Sequence, residues 1–311
     1  MDKVHAWLAQ SPYAAWSLEL ASADASFRRY FRLSHAHETL LLMDASGEKG
    51  SLAPFIDVSA RLHQAKVGAP QIFYEDRSAG FLVIEDFGST HYLDLLNHDN
   101  FKSLYRVAMH EIVNMQRADA AGLPRYDRAF LHLEMDLMAE WFLTQYLHVS
   151  YDAAMLSRTL DAVSAEVLSQ PQGIFVHRDY HSRNILQREN KTVGIIDYQD
   201  AMNGMLTYDL VSLLKDCYIA FDRHEIEALA LEFRDMKGLH VSDALFLKWF
   251  DFTGLQRHIK VLGIFCRLWL RDGKQGYLND LPLTLHYAIQ TALRYEETRE
   301  LGAFLETITL P

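Results

Sequence analysis

The stretch FVHRDYHSRNILQRENKTVGIIDYQDA, residues 175–201, holds the most chemically pointed spacing in this chain of 311 residues. Asn184 follows Asp179 by five positions, and Asp197 closes the apolar pair Ile195-Ile196. A carboxylate, a neutral amide and a second carboxylate in that order suit phosphoryl transfer. Such chemistry needs an acceptor that orients and deprotonates an attacking hydroxyl, and hard oxygen ligands for the Mg2+ that neutralises the phosphates. Asp179 is the expected base, and Asn184 and Asp197 are the expected metal ligands. Each residue alone is more often a turn former, because Asp and Asn cap backbone amides in loops. The joint order of strand, HRDxxxxN, strand and IIDxxD is far more specific than any one of them.

Two apolar pieces, 174–176 and 193–196, bracket this segment, and the expectation is one hairpin with the three oxygen-bearing side chains at its mouth. Upstream, β-like segments are expected at 16–20, 27–33, 39–44, 71–74 and 81–84. Between them Phe55, Val58, Leu62 and Ala65 recur at helical spacing behind Pro54. From residue 101 onward the stretches 101–120, 131–147 and 151–169 run without internal proline or glycine and read as helices, which resume after 209. The fold class is therefore α+β, with a small β-rich N-terminal lobe (1–88), a connector at 85–90 and a larger helical C-terminal lobe (89–311). A ligand is expected in the cleft where two such lobes meet.

The composition narrows the class of function. A formal net charge of −11 argues against a nucleic-acid binder, whose affinity comes from clustered Lys and Arg. The only two cysteines, Cys217 and Cys266, form no disulfide framework or CxxC spacing, which fits a reducing cytoplasm. No stretch approaches the ~20 apolar residues that span a bilayer, so neither membrane nor nucleic acid is an expected partner.

With these motifs the chain resembles the aminoglycoside phosphotransferase and choline kinase superfamily. DASFRRYFRL, LLMDA, PFIDVSARL, FLVIEDFG, HRDYHSRNIL, IIDYQDA, YDLVSLLKD and GLQRHIKVLGIF look in particular like the N-acetylmuramate/N-acetylglucosamine anomeric kinases of peptidoglycan recycling. The resemblance implies a protein-kinase-like bilobal fold, ATP and Mg2+ as cofactors, and a small amino sugar as substrate, phosphorylated on its C1 hydroxyl. It also implies that Asp179 is the base, that Asn184 and Asp197 hold Mg2+, and that the backbone of Glu85 to Phe87 pairs with adenine. The alternatives are another acceptor within the superfamily, such as an aminoglycoside or choline, and an ATP-binding pseudokinase.

The N-terminal part departs from the kinase pattern. Residues 22–26, Ser-Ala-Asp-Ala-Ser, carry no glycine where a phosphate loop is expected, although Ser26 offers a hydroxyl donor. The strand Leu40-Leu41-Leu42-Met43-Asp44-Ala45 lacks the phosphate-binding Lys. Period two places Arg28 and Arg32 on one strand face, where two guanidinium groups suit phosphate, and Asp57 on the following helix is the expected partner of one of them. On the acceptor side, Arg257 and His258 are expected to face the cleft, Arg257 reading a lactyl carboxylate. Asp200 accepts from sugar hydroxyls or neighbours the metal. Asp209 is expected to cap a helix and hold the loop of Asp179 from below.

Overall fold

The structure, a computed structural model, describes residues 2–22 and 28–311. Ser26 and Phe27, with residues 23–25 of the loop expected to cradle phosphate, lie outside the described residues. By contacts the chain divides into two compact units, Met1–His91 with Ile185–Asp200, and Tyr92–Asn184 with Ala201–Pro311.

In the first unit, short strands, alternating in β2 and near-continuously apolar in β3 and β5, form β1 (Ser17–Ser22), β2 (Arg29–His35), β3 (Glu38–Asp44), β4 (Ile72–Asp76) and β5 (Phe81–Glu85). They form one antiparallel sheet in the order β1-β2-β3-β5-β4. In β2 Phe31 and Leu33 are buried while Tyr30 and Arg32 on the other face are half-buried. Helix α1 (Asp2–Leu8) lays Val4 and Leu8 on the apolar side, against Phe31, Leu33 and Phe81. Helix α2 (Leu52–Gln64) buries Phe55, Val58 and Leu62, one stripe at helical spacing, and tolerates Pro54 in its first turn, where the missing N–H costs nothing.

Four short strands lie further on: β6 (Gln172–Val176), β7 (Ile185–Gln187), β8 (Val193–Ile195) and β9 (Met202–Met205). They correct the expected hairpin. The 174–176 piece pairs with β9, and the 193–196 piece pairs instead with β7. The local pairing wins because the turn is well made. Arg188 N donates to the Thr192 carbonyl at 2.9 Å, Asn190 accepts from Thr192 N at 3.1 Å, and Lys191 takes a positive φ of 63°. Within this unit β8 passes so close to Phe87 that a Cβ on Gly194 would lie 2.4 Å from the ring.

The second unit is helical: α3 (Tyr92–Leu95), α4 (Phe101–Met115), α5 (Arg128–Leu137), α6 (Ala153–Ser169), α7 (Tyr208–Leu214), α8 (Arg223–Met236), α9 (Asp243–Leu270), α10 (Leu281–Ala292) and α11 (Arg299–Glu306). Side chains that accept from the first free amides open several of them: Asp127 for α5, Asp152 for α6, Asp222 for α8 and Ser242 for α9. Helix α9, 28 residues long, is the axle of the unit, buried on nearly every face from Trp249 to Cys266. It crosses the junction where α5 passes into a π-helix (Met138–Tyr146), and a Cβ on Gly263 would lie 2.3 Å from the Leu137 backbone. No helix among the described residues is long and apolar enough to cross a membrane.

Candidate active site

Strand β6 ends at Val176 and delivers His177-Arg178-Asp179 into a loop that the second unit holds at both ends. Buried Asp209, in the first turn of α7, accepts from His177 N at 2.8 Å and from Arg178 N at 3.0 Å, the anchoring expected of it. Buried Asp216, two residues past the end of α7, accepts from Ser182 N at 2.8 Å. Burial pushes the Asp209 carboxyl up to about 7 while the two amides pull it down. Between the anchors the loop folds on itself. His181 N donates to the Asp179 carbonyl at 3.0 Å and Asn184 N to the His181 carbonyl at 2.8 Å. The Asn184 side chain donates its Nδ2 to the Asp179 carbonyl at 3.0 Å, which keeps its Oδ1 as an acceptor. Arg178 has a φ of +78°, a strained value for a residue with a Cβ and typical of functional loops.

The Asp179 side chain is 42% exposed, with cations packed behind it. The Arg257 guanidinium, from α9, lies 4.0 Å from Asp179 Oδ1. Burial alone would raise the Asp179 carboxyl, but Lys260, His181, Arg257 and Arg178 outweigh it and hold the pKa at about 2. Two of those cations are organised by a buried carboxylate, Glu134 of α5, which binds Arg178 at 2.7 Å and Lys260 at 2.8 Å. Gln256 donates to the same carboxylate at 3.0 Å, and Tyr126 lies at 3.1 Å. Burial raises the Glu134 carboxyl, yet Lys260 and Arg178 bring it below its ordinary value. This network escaped the sequence reading. Glu134 sits in an unremarkable helical run, whereas Lys260, a cation three residues after Arg257 in an apolar helix, carried a signal.

In the first unit Asp197 leaves β8 with φ +63°, a left-handed conformation costly for a non-glycine residue. Asp197 and Asp200 are both exposed and are joined by Gln199, whose Nε2 donates to Asp197 Oδ1 at 2.9 Å and to Asp200 Oδ2 at 3.1 Å. Arg28 is buried and lies close enough to Tyr198 that its charge favours the ionised phenol, against a burial effect that raises that group. Arg32, the other expected phosphate ligand, is committed to Asp86, with Nε 2.6 Å from Oδ2. Asp57 pairs with neither arginine. It binds Arg61 one turn along α2 at 2.9 Å, because (i, i+4) neighbours on a helix meet before distant strands do. Glu85 ends β5 and pairs with Arg188, whose guanidinium also lies 4.6 Å from the centroid of the buried Phe87 ring.

Two expectations on the acceptor side are corrected. His258 is fully buried, its Nε2 3.0 Å from the Lys215 carbonyl and its ring stacked on Tyr287 at 4.8 Å. Burial lowers it to about 3, so it is a neutral core residue. Arg257 is 4% exposed, with Nε 2.9 Å from Ser212 Oγ and a terminal nitrogen 3.5 Å from Cys217 Sγ. Its place is behind Asp179 and it does not stand out as a reader of substrate carboxylates. Both misplacements have one cause: α9 is buried all round, so its polar residues face one another across the helix packing.

Residues 17–241 match the model of a family described as "Phosphotransferase enzyme family". An N-acetylmuramate/N-acetylglucosamine kinase of Pseudomonas aeruginosa is 37% identical over 297 residues, covering 93% of this chain and 87% of that protein. A kinase of the same name from Neisseria meningitidis is 36% identical, covering 94% and 91%. Among solved structures, a choline/ethanolamine kinase family protein from Mesorhizobium loti superposes with a TM-score of 0.65 at 16% identity, covering 99% of each chain. The GDP complex of aminoglycoside 2'-phosphotransferase-IIIa gives 0.67 at 17% identity, covering 93% and 99%. The likeness to those structures gives the protein-kinase-like fold; the family match and the two relatives make the chain a member of the phosphotransferase enzyme family.

Proposed function

We propose that this chain is an ATP-dependent kinase that transfers the γ-phosphoryl group to the anomeric C1 hydroxyl of N-acetylmuramate or N-acetylglucosamine, in peptidoglycan recycling in the cytoplasm. The observation that carries the reading is Asp179, a part-exposed carboxylate kept ionised by buried cations on a loop pinned at both ends. Asp179 accepts the hydrogen bond of the attacking hydroxyl, aligns its lone pair with the phosphorus and takes its proton. A hemiacetal hydroxyl is more acidic than an ordinary alcohol, so a weakly basic carboxylate suffices. Positioning and charge complementarity supply most of the rate.

Asn184 and Asp197 fit the Mg2+ of such a reaction. The first commits its donor to the Asp179 carbonyl and keeps a neutral oxygen, the second is an exposed carboxylate, and Mg2+ takes few protein oxygens. When bound, the ion neutralises the nucleotide phosphates. Arg28, a buried arginine beside Tyr198 in the unit that carries Asp197, replaces the missing Lys as phosphate cation. The peptide groups of Glu85 to Phe87 receive the adenine. Asp200 stands beside Asp197 as an acceptor for sugar hydroxyls.

Phosphorus NMR of the product formed from each amino sugar tests the proposal, with Asp179→Asn as control. The expected product is a C1 phosphate, and the variant keeps nucleotide affinity while kcat falls by about 10²- to 10⁴-fold. Phosphorylation at another position, turnover of choline or an aminoglycoside alone, or undiminished turnover by the variant rejects the assignment.

A further inference from the structure

Four residues past Asp179, Arg183 lies with its guanidinium carbon 3.6 Å from the centroid of the Tyr218 ring. Its side chain is 43% exposed, and its ion pair with Asp280 is loose, at 3.5 Å. The platform beneath it is rigid. Tyr218 N donates to Asp216 Oδ1 at 3.0 Å, while Oδ2 of the same carboxylate holds Ser182 N at 2.8 Å. One buried carboxylate therefore fixes both the loop that carries Arg183 and the ring on which it rests. The ring also meets His181 edge to face at 5.1 Å. Asp179 and this platform are neighbours through Arg257, which lies 4.0 Å from Asp179 Oδ1 and 3.5 Å from the sulfur of Cys217, the residue before Tyr218.

We propose that Arg183, spread on Tyr218, binds the carboxylate of an anionic acceptor and so sets the preference for N-acetylmuramate over N-acetylglucosamine; this rests on the reading of Asp179 as base for an amino sugar. The two sugars differ by a lactyl ether ending in a carboxylate. A planar guanidinium grips a carboxylate with two parallel hydrogen bonds, and stacking on an aromatic ring holds that plane without using its donors. Arg257, the residue first expected to read the lactyl group, is buried with other partners, and of the two part-exposed arginines on the loop of the base Arg183 is the more open, Arg178 being bound to Glu134. In a chain of net charge −11, a part-exposed cation held over a ring four residues past Asp179 is placed against the general trend.

The test is steady-state kinetics with both sugars for wild type, Arg183→Met, Arg183→Lys and Asp280→Asn. For Arg183→Met the ratio of kcat/KM, N-acetylmuramate over N-acetylglucosamine, falls about 10- to 100-fold through KM. Arg183→Lys restores part of the ratio, because it returns the charge without the fork. Asp280→Asn frees Arg183 from its competing carboxylate and lowers KM for N-acetylmuramate. An unchanged ratio in all three variants, or loss of both sugars alike in folded Arg183→Met, overturns the role of Arg183. Should Arg183→Met fail to fold, Asp280→Asn decides alone, and an unchanged KM for N-acetylmuramate there overturns it. A wild type that turns over neither sugar rejects the acceptor class itself, a result distinct from one in which both are phosphorylated and the ratio ignores Arg183.

Discussion

Replacing Glu134 by Gln removes one buried charge from a set that is balanced only because that charge is there. Glu134 is 5% exposed and touches Arg178 at 2.7 Å and Lys260 at 2.8 Å. At an effective dielectric of about 20, each contact carries a gross attraction of about 6 kcal/mol. Desolvation offsets much of this, so the pair contributes little net stability against a well-packed apolar equivalent. Removing one partner is different, because Arg178 and Lys260 then lose the carboxylate they touch and keep only the influence of Asp179, which costs about 3–5 kcal/mol. In a chain of 311 residues that lowers the melting temperature by roughly 5–8 °C. The assay is urea unfolding at pH 7.5 of Glu134→Gln, Lys260→Met and the double variant. The double variant should regain part of the loss, since one of the two cations that Glu134 held is now also gone, and the coupling should exceed about 1 kcal/mol. The Glu134 pKa is below its unfolded value, so its stabilisation is present above the unfolded pKa and is lost as pH falls through the folded one. The wild-type advantage over Glu134→Gln therefore shrinks in acid. Additive losses, or an advantage that grows below pH 4, refute the reasoning.

Two other perturbations separate neighbouring groups. Arg28→Ala should weaken ATP binding about tenfold or more, the worth of a charge-assisted contact, whereas Arg32→Ala should mainly destabilise the fold by stranding the buried carboxylate of Asp86. Isothermal titration with ATP checks both, and unchanged affinity in Arg28→Ala removes its phosphate role. His258, whose folded pKa of about 3 lies below the ordinary 6.5, stays neutral in the fold, so stability drops as pH falls below 6.5, by about 1.4 kcal/mol at pH 5.5. Urea midpoints at pH 7.5 and 5.5 should therefore differ less in His258→Gln than in wild type, and an equal difference rejects the assignment.

What was legible in the sequence is what local physics decides. Strands with period-two patterns such as Phe31 and Leu33 came out within a residue or two, and so did helix α2 with its stripe at 55, 58 and 62. The spacing of Asp179 and Asn184 was legible because a loop of fixed length between two strands has few ways to fold. Partner choice was not. The pairing of 174–176 with β9 depends on β7, a strand of three residues that is too short to announce itself. Asp57 was given a distant arginine when a nearer one stood a turn away. The larger miss has the same root. A polar residue in an apolar helix signals that it must be satisfied, but not by what. Arg257, His258 and Lys260 all obeyed that rule inside the second unit, through Asp179, the Lys215 carbonyl and Glu134. Burial on every side of α9 turned Arg257 and Lys260 of what looked like a substrate-facing cluster into the electrostatic support of the base, and His258 into core. The residue better suited to meet an acceptor, Arg183, lay unread within the motif itself, because the ring beneath it, which helps to give its charge a fixed place, is supplied from 35 positions downstream.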